Sequence, residues 1–229
     1  MRELTLGQRR LAAWAGMLGP ALFVGIFTIE GWLRPGYEPL RMYVSELSLG
    51  PRGWIQITGF VVIGLLLLVF AWGVAAEFRT GKASRGGPIL LTIVAILFLV
   101  SGPLVMDPTG TPLSQATVHG TIHGLAGGIV FLLMPITCFV FVRRFRVDPE
   151  WRSLQWWTLA LGIIIAAAVV LLTISSKLPE VQDVFQNWLG LIQRTIIVPF
   201  MAWVFIFALG LLRRINRVEG IEQEPPHTV

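Results

Sequence analysis

Apolar positions along this chain fall into six long runs, and polar positions gather in the segments between them. The runs cover about residues 11–32, 54–76, 88–106, 117–142, 156–176 and 188–212. The first holds nineteen consecutive uncharged residues, Leu11–Ile29. About twenty apolar residues, each rising about 1.5 Å, cross a hydrocarbon core about 30 Å thick. The pattern therefore predicts an all-α integral membrane six-helix bundle over 11–214. A short N-terminus (1–10) precedes it and a polar tail (215–229) follows, with Glu219–Val229 expected to be disordered. Arg9 and Arg10 precede the first run as in a signal peptide. That run is longer than a typical signal core and no small-x-small cleavage site follows, so it reads as a retained span. Pro88 suits the first turn of a helix. Pro20, Pro103, Pro135 and Pro199 fall inside runs, where kinks are expected.

Composition agrees with the pattern: 55% of the residues are hydrophobic and 14% charged. The net charge of +5 would suit a nucleic-acid binder, but the basic residues sit in the loops between apolar runs. Thirteen of the eighteen Lys and Arg fall on one side of the predicted bundle and four on the other, with Arg194 at the edge of the last run. The positive-inside rule then places both termini in the cytoplasm, in a multi-pass protein of the cell membrane. Eight of the nine tryptophans lie near run ends, where an interfacial belt is expected. Cys138, the one cysteine, lies in an apolar run and has no intramolecular disulfide partner.

Candidate chemistry gathers on the less basic, outer side. His119 and His123 are four apart, hence on one helix face. Gly120, Gly124 and Gly128 repeat beside them, a spacing expected to let a neighbouring helix come close. Two imidazoles at that spacing are a candidate zinc pair if a third ligand such as Asp107 or Glu46 converges. The alternative is two hydrogen-bonded packing residues. Asp107 either bonds its own turn backbone or meets a cation. Arg194 is expected in an internal ion pair or anion contact, with Glu30, Glu46 and Asp107 available. Glu30 itself is expected at headgroup level. The outer loop, 33–53, mixes Tyr37, Arg41, Tyr43, Ser45 and Glu46 with apolar residues, which suggests a folded lid. Ser45 either caps a short helix there or reaches the site, and Glu46 either serves the lid or acts as general base.

The segment Val44-Ser-Glu-Leu-Ser-Leu-Gly-Pro-Arg-Gly-Trp54, the Ser-Gly-Pro-Leu-Val-Met-Asp-Pro run at 101–108 and the His-Gly opening the fourth span resemble the bacterial and archaeal six-span membrane family known as domain of unknown function 998. Arg194 matches a position where that family carries arginine. The resemblance implies a six-helix bundle with its marked residues on the outer side, and no established activity. A looser similarity is to seven-span zinc hydrolases such as alkaline ceramidases and adiponectin receptors. The chain departs from these in span number, and its third histidine, His227, lies in the tail.

The expected function is an outward-opening polar pocket at headgroup level that binds membrane lipids or another amphiphile. Glu46, His123 and Asp107 are the catalytic candidates for hydrolysis or isomerisation. Arg194, Ser45 and Gln193 are the ligand-binding candidates, and His119, His123 and Asp107 the zinc candidates. The alternatives are a small-molecule transporter or channel, and a non-catalytic structural membrane protein. No nucleic-acid partner is expected.

Overall fold

The computed structural model describes residues 4–223, all helices and loops, with no strand among them. Seven helices follow one another: α1 (Leu6–Leu33), α2 (Gly53–Glu77), α3 (Gly86–Ser101), α4 (Val118–Phe145), α5 (Gln155–Lys177), α6 (Pro179–Phe185) and α7 (Leu189–Gln223). Five of these (α1, α2, α4, α5 and α7) are long and apolar enough to cross a membrane, and α3 is a shorter apolar helix. The chain is a multi-pass membrane protein.

Local chemistry explains where the helices start and stop. α1 begins ahead of its apolar run because Thr5 and Gln8 form a capping box, with side-chain bonds of 3.3 and 2.9 Å to each other's N–H groups. α3 stops at Ser101, not at Met106 as expected. Gly102–Pro103 follows, and the missing Pro103 N–H ends the helix where a kink was anticipated. α1, α4 and α7 continue through Pro20, Pro135 and Pro199. α7 runs on to Gln223, so the segment expected as a disordered tail begins as helix. Residues 224–229, with His227, lie outside the described part.

The six apolar helices close into a ring, each packed on its chain neighbour, with α7 closing on α1 and the short α6 resting beside α5. One end of the ring is tightly filled. Phe78, Phe141, Phe145, Trp151, Trp203 and Phe207 interlock there with centroid separations of 5.0–6.4 Å. Trp151, expected in the interfacial belt, is buried in this plug. Just beyond, Glu77 receives Arg9 at 3.0 Å and Arg214 at 2.8 Å, tying α1, α2 and α7.

The other end is looser between α4 and α5. Half of the spanning windows of α1, α2 and α7 is buried, against 39% for α4 and 33% for the α5 segment. α4 and α5 do meet toward the plug, where a Cβ on Gly162 would lie 3.1 Å from Cys138. Toward the lid end they part.

Candidate functional site

The lid end is built from the 34–52 loop. Its turn at Glu38–Met42 presents a row of backbone carbonyls to the start of α7. The first-turn N–H groups of Gly190 and Leu191 donate to Arg41 O and Leu40 O at 3.1 and 2.9 Å. These are donors that a helix N-terminus leaves unpaired. The approach requires a glycine, since a Cβ on Gly190 would sit 2.3 Å from Met42 O. One turn on, the Arg194 guanidinium donates to Pro39 O, Met42 O, its own helix at Gly190 O, and the Tyr37 hydroxyl, at 2.5–3.0 Å. Arg34, just past the end of α1, donates to Leu47 O at 2.9 Å. A 3-10 turn at Val44–Ser48 follows, with Val44 and Leu47 buried. Gln193 Oε1 accepts from Val44 N at 2.7 Å, and Glu46 accepts from Tyr43 N at 2.9 Å, within its own turn. Burial pushes the Tyr37 hydroxyl above its ordinary range, with Arg194 opposing, and burial then Glu46 do the same to Tyr43.

Beneath the lid lies a cavity of about 340 Å³. Its deep walls are apolar: Phe60, Phe98, Val130, Phe131, Leu172 and Ile197. Its lid-end walls are polar, formed by Ser45, Ser101, Asp107, His123, Ser176 and Gln193. Gly124, Gly127 and Gly128 form the α4 side, and a Cβ on any of them would meet nothing within 4 Å. Of the row expected to draw a helix close, Gly124 and Gly128 instead leave room, while Gly120 lies against Asp107. Gly124 and Gly128 line the cavity and are also exposed, so the cavity communicates with the surroundings along α4.

His123 is fixed by the broken end of α3. Its Nδ1 lies 2.8 Å from Leu104 O and 3.1 Å from Ser101 O, carbonyls that the end of the helix leaves free. Two acceptors require a proton on Nδ1, which leaves Nε2 of the neutral ring as an acceptor without a partner among the described residues. The ring also stands edge-on to Phe60, 5.9 Å between centroids. Asp107 accepts from Thr117 N at 2.9 Å and Thr117 Oγ1 at 2.8 Å, and Thr117 in turn caps α4 by accepting from Gly120 N at 2.9 Å. Its charge thus sits at a helix N-terminus, where it is favourable.

The family described as "Protein of unknown function (DUF998)" matches this chain over residues 17–210. The chain belongs to that family. Two Schizosaccharomyces pombe proteins, each described as "Putative inorganic phosphate transporter", are 32% identical to it over 107 residues. That stretch is 45% of this chain and 17% of each yeast protein, so the chain spans a small part of these relatives' length. No solved structure matches.

Placed on this DUF998 fold, the expected residues divide. Ser45, Asp107, His123 and Gln193 line the cavity together. Glu46 does not line it; it is buried within the lid. Arg194 makes no ion pair of the expected kind, because lid carbonyls and Tyr37 hold its guanidinium. Glu30, expected at headgroup level, is 3% exposed and binds Arg52 through both oxygens at 2.8 and 2.6 Å. The zinc trio does not assemble. His119 is exposed and off the cavity, Asp107 is engaged with Thr117, and no three His, Cys, Asp or Glu converge among the described residues. The donor set present does not fit a zinc centre, which takes at least three protein ligands. Ser101 and Ser176 were not anticipated; they look like any small polar residue at a helix end.

Proposed function

We propose that this DUF998 protein binds a membrane amphiphile under its lid, admitting the tail sideways between α4 and α5. One observation carries the reading: a cavity that is polar under the lid and apolar in its depth is open along exposed glycines of a membrane helix. That gradient matches a polar head joined to a hydrocarbon tail, in a hollow of ordinary ligand size. The thirteen basic residues of the plug side favour the cytoplasm for that end and for both termini, with the lid facing out. Any acid–base step, hydrolysis or isomerisation, falls to His123 Nε2 beside Asp107, with Glu46 serving the lid instead.

A diazirine-tailed fatty alcohol tests this in detergent-solubilised protein. Adducts are expected on the cavity-lining positions of 124–131 and 172–176. Adducts confined to the lipid-facing Leu125, Leu132 and Ile163 would overturn the reading.

The yeast relatives' description favours a second reading, transport of inorganic phosphate. Two features weigh against it. Among the described residues the cavity wall carries no Lys or Arg, and the aromatic plug closes the far end. Phosphate uptake by proteoliposomes above protein-free controls would favour transport over binding.

A further inference from the structure

We infer that the cavity selects a head that carries O–H or N–H donors and no negative charge, such as an alcohol or an amine, and rejects phosphate and carboxylate heads. The inference rests on the amphiphile reading and names its ligand class.

The polar wall is rich in acceptors. With Nδ1–H held by the Ser101 and Leu104 carbonyls, Nε2 of the neutral His123 ring is an acceptor. The Ser101 hydroxyl donates to Leu97 O at 2.8 Å, and its spare lone pair is left for the cavity. Ser176 donates in the same way to Thr173 O at 3.4 Å. Asp107 adds a carboxylate whose two bonds to Thr117 leave further acceptor capacity. The donors on the wall are neutral: the hydroxyls of Tyr43 and Ser45 and the amide of Gln193, whose oxygen is already committed to Val44 N.

Charge points the same way. Among the described residues, Asp107 is the one formally charged side chain on the wall, and it is negative. Arg194, which follows Gln193 of the wall, is occupied by the lid, and Arg52 by Glu30. An anionic head would leave water, meet no countercharge among the described wall residues and face a carboxylate, which is costly in a low-dielectric site. A hydroxyl or ammonium head would instead satisfy acceptors that otherwise have no partner.

The test is competition against the diazirine-tailed fatty alcohol by amphiphiles sharing one tail, with hydroxyl, amine, carboxylate or phosphate heads, and by inorganic phosphate alone. The alcohol and amine are expected to compete at least about tenfold better than either anion, and inorganic phosphate not at all. Asp107→Asn should narrow the gap between amine and anions. His123→Phe should weaken the alcohol toward a head-free hydrocarbon while tail cross-linking persists. If His123→Phe fails to fold, Asp107→Asn carries the test. Equal competition by all four heads would overturn this inference and leave the amphiphile reading standing. Tighter binding of the phosphate head, or competition by inorganic phosphate, would also overturn it. Competition by none would remove the amphiphile reading itself.

Discussion

Arg194 shows how a charged residue at the end of a membrane helix can be held by backbone carbonyls and a tyrosine hydroxyl in place of a carboxylate. Its position, eighteen uncharged residues before Arg213, makes it conspicuous, and a carboxylate partner is the natural expectation. The partners are instead backbone carbonyls at Pro39 and Met42, which have no side-chain signature, so the pairing was not legible. Arg194→Ala should cost about 2–4 kcal/mol, because it removes four donated bonds at a part-buried contact and leaves Pro39 O without its donor. The measurement is thermal unfolding in detergent, and an unchanged midpoint would contradict it. Gly190 belongs to the same contact. Gly190→Ala drives a methyl into Met42 O and Pro39 O and should destabilise by about 1–3 kcal/mol. Hydrogen exchange should show faster opening at residues 39–48 with little change in α2. For Asp107 the sequence offered a bond to its own turn backbone or a cationic partner, and neither is what the fold uses. That it caps the next helix through Thr117 depends on the fold.

At the scale of elements, the lid and the α3–α4 corner form the polar end of the cavity. The six runs were legible because membrane burial writes itself as long uncharged stretches. The end of α3 was misjudged because apolar residues continue to Met106 while the backbone stops bonding at Gly102–Pro103. That early stop frees the carbonyls that orient His123. The α4 glycines were misread for a related reason. A Gly-x-x-x-Gly row fits a close contact and an open wall equally well, and only the neighbour's position decides. The lid has its own pH signature. Tyr37 and Tyr43 are the only tyrosines, and both hydroxyls are held above the ordinary value of 10.0. A raised folded-state value means their contribution is fully present below pH 10 and is lost as pH rises through the folded values. Unfolding temperature should fall above about pH 10. Absorbance of phenolate at alkaline pH should appear later in the folded than in the denatured protein, and coincident titrations would contradict the lid's burial.

Over the whole molecule, the ring is asymmetric. α1, α2 and α7 are tied by Glu77 with Arg9 and Arg214 at the plug end, and by the lid contacts at the other. α4 and α5 part at the lid end, and the cavity opens there. The long apolar helices could be read from the chain; this parting could not, because it depends on which helices the ring brings together. Occupancy can be separated from folding at Gly127, where an added side chain enters open space. A helical Gly→Leu change also favours the helix by about 0.5–1 kcal/mol, so Gly127→Leu should unfold at the same or a higher temperature. The most direct measurement is native mass spectrometry of wild type and Gly127→Leu after incubation with a long-chain alcohol. A stoichiometric complex in wild type that is lost in the equally stable variant is expected, and equal occupancy in both would contradict a ligand seated between α4 and α5.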